Sequence, residues 1–377
     1  VIGNVMYLFK YYRPDFFFEK AIRYNELYFS APAQLNDPND LNIDYRFDNK
    51  LNLWDILLRS PCDISYKNLS HILDLSNLKI HKGLNRIFRG KKIKSSIESL
   101  DSLFDSHVDE IRKIINDGLL PINVINSAIY GDIPEPRQFL VSLCENSIKE
   151  RLYRKIVPAV FSVSFSANAL DRMMWAHYAA GFSGCVVIYE TQDFNINGVP
   201  HPGMKLRDNL FSSDKINFPV KPIKYINQAK EVSLLDPSAN ISELFLTKNR
   251  FWKYESEYRM FIPEANAGIG SERHVKRRVN RNVGHIFHHD ANVVRGIIFG
   301  PRMCEMTKES IWNCIKSNME NSNSTICYFF DSELSASGKI TISKGQRAKK
   351  MENFSLFRNE LSQTEMAKVL KEIGITN

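Results

Sequence analysis

One stretch near the middle of the chain decides the fold class, since residues 160–165 have the sequence Val-Phe-Ser-Val-Ser-Phe. Apolar and hydroxyl residues alternate there with the period of two that indicates a β-strand. Strand patterns also occur on both sides, at residues 5–12, 27–30, 184–189, 219–226, 257–262, 293–299, 325–330 and 339–343. Helical patterns follow Pro14 and cover residues 169–180, 242–252 and 305–317. This order predicts an α+β fold with a mixed, largely antiparallel sheet and packed helices.

The segment 51–155 has a different pattern, which predicts a mostly helical insertion. Leu, Ile and Lys dominate it, and apolar residues such as Leu100, Phe104, Ile111 and Ile115 recur with helical spacing. We therefore expect residues 1–50 and 156–343 to form one α/β core around the insertion. Within that core, residues 190–215 have a loop-rich composition. Residues 344–377 are predicted to form a polar linker and a C-terminal helix.

Composition and charge exclude several classes of protein. Of 377 residues, 44% are hydrophobic and 24% are charged, which excludes a wholly disordered chain. No apolar run approaches the roughly 20 residues of a membrane-spanning helix. The six cysteines form no C-x-x-C pair, so free thiols in a reducing cytosol are favoured over a disulfide or zinc framework. The net charge of +8 permits nucleic acid as a partner without requiring it.

Three clusters combine polar and aromatic residues at high density. They are Leu35–Asp40, Met174–Gly181 and Trp252–Arg259, here named the first, second and third clusters. Small-ligand sites need a few polar groups that converge on a concave surface. We therefore expect the three clusters, which are far apart in sequence, to line one cleft.

The clusters and the strands beside them resemble DUF2971, a bacterial family of unassigned function, with some similarity to the abortive-infection protein AbiGi. The resemblance depends, in chain order, on Leu8–Arg13, Leu27–Pro32, Leu35–Asp40, Ser164–Ser166, Met174–Gly184, Lys248 with Trp252–Arg259, and Ile297–Gly300. It departs from the family at Asn39, which replaces an aromatic residue, and at Phe182-Ser183, where the family often has a histidine. It implies a cytoplasmic bacterial or prophage protein, often found near phage-defence genes, and it implies no reaction.

Two carboxylates of the third cluster are candidates for catalysis. Glu255 and Glu257 are two residues apart, so on a strand both would face one side, together with Arg259. Together with Arg13 on an early strand and the Ser-x-Ser strand at Ser162 and Ser164, Glu257 looks like the Arg, Ser-x-Ser, Glu arrangement of ADP-ribosyltransferases. The alternative for Glu257 and Arg259 is a structural ion pair on a half-buried sheet.

The resemblance to ADP-ribosyltransferases implies roles in a site for NAD as substrate. Glu257 would hold a ribose hydroxyl and support an oxocarbenium-like transition state. Arg13 would anchor a phosphate bidentately, while Ser162 and Ser164 would shape the NAD pocket. The other side chains assigned to the NAD-binding surface are Tyr11, Trp175, Tyr178 and Arg259.

His177 is a third catalytic candidate. In the predicted helix it shares a face with Met174 and Tyr178, because His177 and Tyr178 follow Met174 by three and four positions. A histidine beside aromatic rings can bind a phosphate or transfer protons near neutral pH. The alternative is a core histidine that donates to a backbone carbonyl.

The first cluster and a basic segment each have two interpretations. Asn36, Asp37 and Asp40 are oxygen ligands that suit a metal ion, but Asn-Asp-Pro is also typical of a tight turn, which we favour. The basic segment is either a phosphate-binding element or a solvated surface loop. Its cations are Arg273, Lys276, Arg277, Arg278 and Arg281, followed by His285, His288 and His289.

The sequence therefore favours an intracellular bacterial anti-phage defence effector or toxin with an ADP-ribosyltransferase-like, NAD-cleaving site. One alternative is a non-enzymatic sensor or nucleic-acid-binding module that has a defence-system protein as partner. Another is a metal-dependent nuclease that uses Asp37, Asp40 and either Glu255 or Glu257. The sequence has no P-loop, G-x-S-x-G or H-E-x-x-H pattern, which disfavours kinase-like, lipase-like and zincin chemistry.

Replacing Arg277, Arg278 and Arg281 by Ala tests the basic segment. If these cations contact phosphates, DNA or RNA binding falls with salt at a slope of roughly −0.7 to −0.9 per contact. The triple variant should weaken binding about equally across sequences and flatten that slope by up to about three contacts. Binding titrations over a range of salt concentrations measure both effects. Nucleic-acid affinity that is unchanged in the variant would contradict the phosphate-binding interpretation.

Overall fold

A computed structural model of the chain describes residues 5–41, 43–48, 50–59, 78–94, 97–119, 136–156, 160–227, 231–236, 241–263, 283–320, 326–343, 349–352 and 359–376. The chain divides into two compact units. The first unit comprises Val1–Asp40, Val160–Gln228 and Leu246–Asn377, and the second comprises Leu41–Ala159 and Ala229–Phe245.

The described strands, in chain order, are β1 (Tyr7–Tyr12), β2 (Glu26–Phe29), β3 (Asp44–Arg46), β4 (Lys92–Lys94), β5 (Val160–Ser166), β6 (Cys185–Glu190), β7 (Gln192–Ile196), β8 (Val199–Arg207), β9 (Ile216–Pro219), β10 (Lys221–Pro222), β11 (Lys224–Ile226), β12 (Glu231–Ser233), β13 (Thr247–Asn249), β14 (Glu257–Pro263), β15 (His285–His289), β16 (Val294–Phe299), β17 (Ile326–Leu334), β18 (Ile340–Ile342), β19 (Lys349–Glu352) and β20 (Asn359–Glu360).

The described α-helices are α1 (Phe16–Tyr24), α2 (Leu51–Arg59), α3 (Leu78–Phe88), α4 (Ile97–Asp105), α5 (Val108–Gly118), α6 (Pro136–Tyr153), α7 (Arg172–Tyr178), α8 (Ile241–Leu244), α9 (Glu305–Glu320) and α10 (Gln363–Glu372). Short 3₁₀ helices cover Pro32–Gln34, Arg250–Glu255 and Ala291–Val293. None of the helices in the described part of the chain combines the length and apolar character needed to span a bilayer.

The first unit is built on a large mixed sheet. Its order is β10-β14-β5-β1-β6-β16-β17-β19-β20, with β18 also paired to β17. Only β16 and β17 run parallel among its described pairs, and the other pairs are antiparallel. A second sheet has the order β2-β15-β8-β7 with β9 on β8, and β11 pairs with β13. The α+β prediction with a largely antiparallel sheet is therefore confirmed.

Successive strand residues of the large sheet point to opposite sides, and helices pack against both of the faces that they form. On one side, Leu8 and Val187 pack in a cluster with α1 and α9 through Ile22 and Trp312. On the other side, residues such as Phe9 and Val186 pack with α7 and α10. The strands between these layers are buried on both faces, which explains their nearly continuous apolar sequences.

The second unit contains α2–α6, α8 and the three-stranded sheet β12-β3-β4. Its core includes an aromatic group in which Phe47, Trp54, Phe88 and Phe104 pack ring to ring. The sequence predicted a mostly helical insertion at residues 51–155. The unit begins earlier, at Leu41, and takes in Ala229–Phe245, because β12 pairs with β3 across a long sequence separation.

Two local predictions in the first unit are wrong for identifiable reasons. Residues 190–215 are not loop-rich, since β7 and β8 form a hairpin. Its turn is Asn197-Gly198, with φ of 52° and 83°, a dipeptide that strongly favours two-residue hairpins. At residues 344–377 the predicted C-terminal helix is present as α10, which buries Met366, Val369 and Leu370. The predicted polar linker before it is wrong in its described part, which includes β19 and β20.

The predicted helix at 242–252 is also wrong. The chain there forms α8, then β13, then the 3₁₀ helix Arg250–Glu255. Asn249 accepts a hydrogen bond from the backbone N–H of Phe251, which starts the 3₁₀ helix. Short polar side chains that bond to the backbone in this way interrupt continuous helices.

Gly184 is required where α7 turns back into β6. A Cβ atom at this position would lie 2.2 Å from the backbone oxygen of Tyr12 and 2.8 Å from Cα of Ala179. Both obstacles are backbone atoms, so no side-chain rotation relieves the overlap. Gly184, which follows the second cluster, therefore has a packing role.

We expect Gly184→Ala to lower the free energy of unfolding by about 3 kcal/mol, because the added methyl group overpacks backbone. Gly181→Ala is the control, since Gly181 has φ of +59° but open space around the added Cβ. It should cost only about 1–2 kcal/mol, the penalty of the left-handed conformation. Denaturant unfolding of both variants checks the difference, and equal losses would contradict the packing explanation.

Candidate functional site

A cleft of about 220 Å³ opens in the first unit where β1 and β5 diverge. The register of β1 with β6 extends over six residue pairs, but β1 meets β5 only at Phe9 and Ser166. Closer to the start of β5, Ser162 instead forms a bridge with Ser30. The gap that results is bordered by residues of all three sequence clusters, as the sequence predicted. They are Leu35, Asn36, Asp37, Asp40, Met174, Tyr178, Trp252, Glu255, Glu257 and Arg259.

Three serines of β5 face this cleft, because Ser162, Ser164 and Ser166 alternate with the core residues of the strand. Ser164 Oγ donates to Glu257 Oε1, and Ser166 Oγ donates to the carbonyl oxygen of Glu255 at 2.7 Å. Ser162 is buried, and its hydroxyl has no hydrogen-bond partner among the described residues. A buried hydroxyl without a partner is costly, which marks this end of the cleft as a place for a ligand or water.

The floor of the cleft is a buried ionic network centred on Arg259, which is 1% exposed. Its Nη1 donates to Asp40 Oδ1 at 2.8 Å and its Nη2 to Asp40 Oδ2, which is a bidentate pair. The same guanidinium donates to both oxygens of Glu257. Lys248 lies 2.5 Å from Glu255, 3.1 Å from Glu257 and 3.5 Å from Asp40. Three carboxylates therefore share two cations.

Lys248 reaches this network because of local strand pairing. Lys248 lies on β13, opposite Tyr225 of the parallel strand β11. The hydroxyl of Tyr225 accepts from the backbone N–H of Glu257 at 2.8 Å, so the same strand also fixes the start of β14. Burial alone would lower the pKa of Lys248, but the charges of Glu257, Glu255 and Asp40 outweigh it and raise the pKa to about 12.

Glu257 is fully committed to this network. Its oxygens accept from Ser164, from Lys248 and twice from Arg259, which fills the roughly four acceptor positions of a carboxylate. Burial would raise its pKa, but the charges of Arg259 and Lys248 lower the pKa to about 2. Glu257 is therefore ionised at neutral pH and has no acceptor position left for a ligand.

Glu255 has a different environment, although it lines the same cleft. Its oxygens accept only from Tyr178, at 2.6 Å, and from Lys248, so about two acceptor positions have no partner among the described residues. Burial raises the pKa of Glu255, and the charge of Lys248 only partly opposes this. A carboxylate with a raised pKa and open acceptor positions is suited to proton transfer with a ligand.

The two glutamates do not share one strand face, contrary to the spacing argument. Glu255 ends the 3₁₀ helix, and Ser256 has the left-handed φ of 44° before β14 begins at Glu257. Both carboxylates therefore line the cleft because of this backbone turn, and not because they alternate along one strand. A non-glycine residue in that conformation is strained, and such strain is commonly found at functional sites.

The first cluster forms the rim of the cleft and behaves as the predicted turn. Asp37 accepts from the backbone N–H of Asn39 and, at 2.9 Å, from the indole N–H of Trp252. Asp40 is held by Arg259. In the described part of the chain, no group of three or more His, Cys, Asp or Glu side chains has metal-binding geometry.

Three candidates from the sequence lie outside the cleft lining. Arg13 is exposed and donates to the carbonyl oxygen of His177 at 3.4 Å. His177 is exposed, and its Nδ1 lies 3.2 Å from the hydroxyl of Tyr254. Trp175 is fully buried, with its indole N–H donated to the carbonyl oxygen of Ala169.

The other candidates have mixed positions. Tyr11 lines the cleft, but its hydroxyl donates to the carbonyl oxygen of Asn168 at 2.8 Å. His285, His288 and His289 lie on β15, and burial lowers the pKa of His289 to about 4. The basic segment with Arg273, Lys276, Arg277, Arg278 and Arg281 lies outside the described residues, as does Cys62. The five described cysteines are free thiols.

Sequence reasoning missed several residues of the cleft, of which Lys10 is the most informative. Lys10 is a half-buried lysine in a strand of apolar and aromatic residues. A charged residue inside such a strand is a recognisable signal, because lysine is rarely buried without a reason. The other missed lining residues are Phe9, Tyr28, Ser30, Gln34, Val163, Phe165, Ser166 and Lys248.

Comparisons with models of protein families, with curated proteins and with solved structures found no match. The resemblance to DUF2971 and AbiGi therefore stays a prediction from the sequence motifs.

We expect Arg259→Met to destabilise the fold by about 3–5 kcal/mol, because it leaves Asp40 and Glu257 buried without their main cation. The wild-type protein should lose roughly 3 kcal/mol as the pH falls from 4.5 to about 2, since a carboxylate with a lowered folded-state pKa stabilises the fold only while ionised. That acid dependence should be shallower in Arg259→Met. Urea unfolding at several pH values measures both effects.

Arg23→Met is the matched control, because Arg23 pairs with Glu19 on the exposed surface of α1. Exposed pairs contribute about 0–1 kcal/mol. A similar loss of stability in the two variants would contradict the central role of Arg259.

Proposed function

We propose that the cleft is an ADP-ribosyltransferase-like site that cleaves NAD at the bond between ribose and nicotinamide. The observation that carries the proposal is the environment of Glu255, a buried carboxylate with open acceptor positions in the lining of the cleft. Glu257, assigned to this role from the sequence, is better suited to hold Arg259 and Lys248 in place. Glu255 takes over the contact with the substrate.

The chemistry of the reaction suits these groups. When the C–N bond breaks, its electron pair stays with nicotinamide, and positive charge develops on the ribose. A fixed carboxylate nearby stabilises this charge, which is the main way that preorganised sites lower such barriers. The ribose carbon then bonds to the oxygen of water, or to an oxygen or nitrogen of another acceptor. The attacking group loses a proton in this step. Glu255, with its raised pKa, accepts that proton.

The hydroxyl groups of β5 support the same proposal. Ser162 offers a buried hydroxyl without a described partner, and Ser164 lies beside Glu257. Such groups suit a ribose or a carboxamide, which both donate and accept hydrogen bonds. The cleft volume of about 220 Å³ is below the roughly 300 Å³ at which pockets for drug-sized ligands begin. It therefore suits the nicotinamide riboside part of NAD, with the remainder extending outward.

The biological setting in this proposal is an intracellular bacterial defence effector or toxin. It is supported by the resemblance of the clusters to DUF2971 and AbiGi. The proposed acceptor is water, a defence-system protein or nucleic acid, the last because of the basic segment. A sensor that binds NAD without cleaving it is the main alternative, and the experiment below separates the two.

We expect Glu255→Gln to lower the rate of nicotinamide release from NAD by roughly 10²-fold or more, the usual effect of removing one transition-state contact. The thermal stability of the variant should stay close to that of the wild type. Lys248 still contacts Asp40 and Glu257, and the substitution removes the Glu255 charge, which is costly to bury. Nicotinamide release with water or RNA as acceptor, and thermal melting, measure the two quantities.

Glu26→Gln is the matched control. Glu26 is also a buried glutamate paired with a lysine, Lys20 at 2.7 Å, but it does not line the cleft. The control should keep full activity. Equal activity of the two variants would contradict the role of Glu255, and no nicotinamide release by the wild type would contradict NAD cleavage itself. Binding of NAD without turnover by the wild type would support the sensor alternative instead.

A further inference from the structure

Lys10 differs from the other two cations of the cleft lining. Lys248 and Arg259 each contact two or more carboxylates. No carboxylate of a described residue lies within the 4 Å of an ion pair from Lys10 Nζ. Its one hydrogen bond goes to the carbonyl oxygen of Ser164, at 3.0 Å. An ammonium group has three N–H donors, so two of those on Lys10 have no partner in the described chain.

The position of Lys10 follows from the divergence of β1 and β5. Past Phe9 and Ser166, β5 no longer pairs with β1, which leaves the carbonyl oxygen of Ser164 without a strand partner on that side. The Lys10 side chain occupies the gap and supplies one donor to that oxygen. This contact uses one N–H group of Lys10 and leaves the other two without an acceptor in the described chain.

Two aromatic rings lie near the Lys10 charge, and they attract a cation but accept no conventional hydrogen bond from its free N–H groups. Its Nζ lies 5.6 Å from the ring centroid of Tyr12 and 5.7 Å from that of Phe165. Burial lowers the pKa of Lys10 to about 8, although the charge of Glu257 opposes this. A purely structural donor to Ser164 would not need a charged group, so the free donors and the charge together suit a ligand oxyanion.

We propose that Lys10 binds an oxyanion of the ligand, a phosphate or carboxylate group, at the point where the cleft separates β1 from β5. The inference deepens the proposed function and depends on it for the identity of this cleft as the ligand site. Arg13 is displaced from the role that the sequence suggested for it, because Arg13 is exposed and outside the cleft lining. For NAD as substrate, the oxyanion would be one of its two phosphates.

Affinity for ADP-ribose, measured by calorimetry, tests this role. Lys10→Met should weaken binding roughly 10-fold to 100-fold, the usual effect of one charge-assisted hydrogen bond. Lys10→Arg keeps the charge and should stay within a few-fold of the wild type. The control is Lys308→Met, because Lys308 is also a partly buried lysine but pairs with Glu305 and Asp331 away from the cleft. It should bind ADP-ribose normally.

A labelling experiment on the unmodified chain keeps the proposal testable if Lys10→Met fails to fold. Trinitrobenzenesulfonate reacts with uncharged amines. Lys10, whose pKa is lowered by burial, should therefore be modified faster than Lys308, whose pKa is raised because its carboxylate partners outweigh the effect of burial. Pyrophosphate, ADP-ribose and citrate are added as competitors, and mass spectrometry measures the modification of each lysine. Protection by pyrophosphate and ADP-ribose indicates a phosphate site, and protection by citrate alone indicates a carboxylate site.

The outcomes separate this inference from the proposed function. Protection of Lys10 by an oxyanion supports the inference even where the wild type releases no nicotinamide, a result that would remove NAD cleavage alone. Binding of ADP-ribose that is equal in wild type, Lys10→Met and Lys10→Arg would overturn the inference and leave NAD cleavage in place. Absence of protection by all three competitors would also overturn it.

Discussion

The guanidinium of Arg259 is the group on which the site depends. It binds Asp40 from the loop after β2 and Glu257 from its own strand, and it is almost completely buried. The chain segments that these residues belong to are separated by more than two hundred positions, so one side chain joins the rim of the cleft to its floor. Removal of a buried charge from such a network is costly because the remaining charges lose their partner.

The network also gives different protonation properties to two glutamates that are close in sequence, Glu255 and Glu257. Glu257 accepts four hydrogen bonds and has a pKa of about 2, so it serves as a permanent anion that positions two cations. Glu255 accepts two and has a raised pKa, so it is the carboxylate that can still respond to a ligand. Their separation by the left-handed Ser256 gives two residues, close in sequence, different environments. Pairs of acids whose pKa values are driven apart by their surroundings are typical of acid–base sites.

The sequence predicted the strands of the core and the convergence of the three clusters well, because both depend on local periodicity and on polar density. The ion pair of Glu257 with Arg259, one of the two interpretations that the sequence offered, is present. The sequence did not predict that Asp40 and Lys248 join it, since those contacts depend on tertiary packing. It placed Glu255 on a strand, because a 3₁₀ helix followed by a left-handed residue has no clear sequence signal at Ser256. Lys10 and the Asn197-Gly198 turn did have recognisable signals, a lysine within an apolar strand and a typical hairpin dipeptide.

The ionic network contains three carboxylates but only two cations. Buried ion pairs are often no more stabilising than well-packed apolar residues of the same volume, so a cluster of three carboxylates and two cations is not explained by stability alone. The excess carboxylate is Glu255, and its raised pKa is the expected response to burial with too little positive charge. Lys10, the cation without a carboxylate partner in the described chain, lines the same cleft. The lining of the cleft thus contains one carboxylate and one cation that are incompletely paired, an arrangement that a ligand with its own hydroxyl and oxyanion groups would complete.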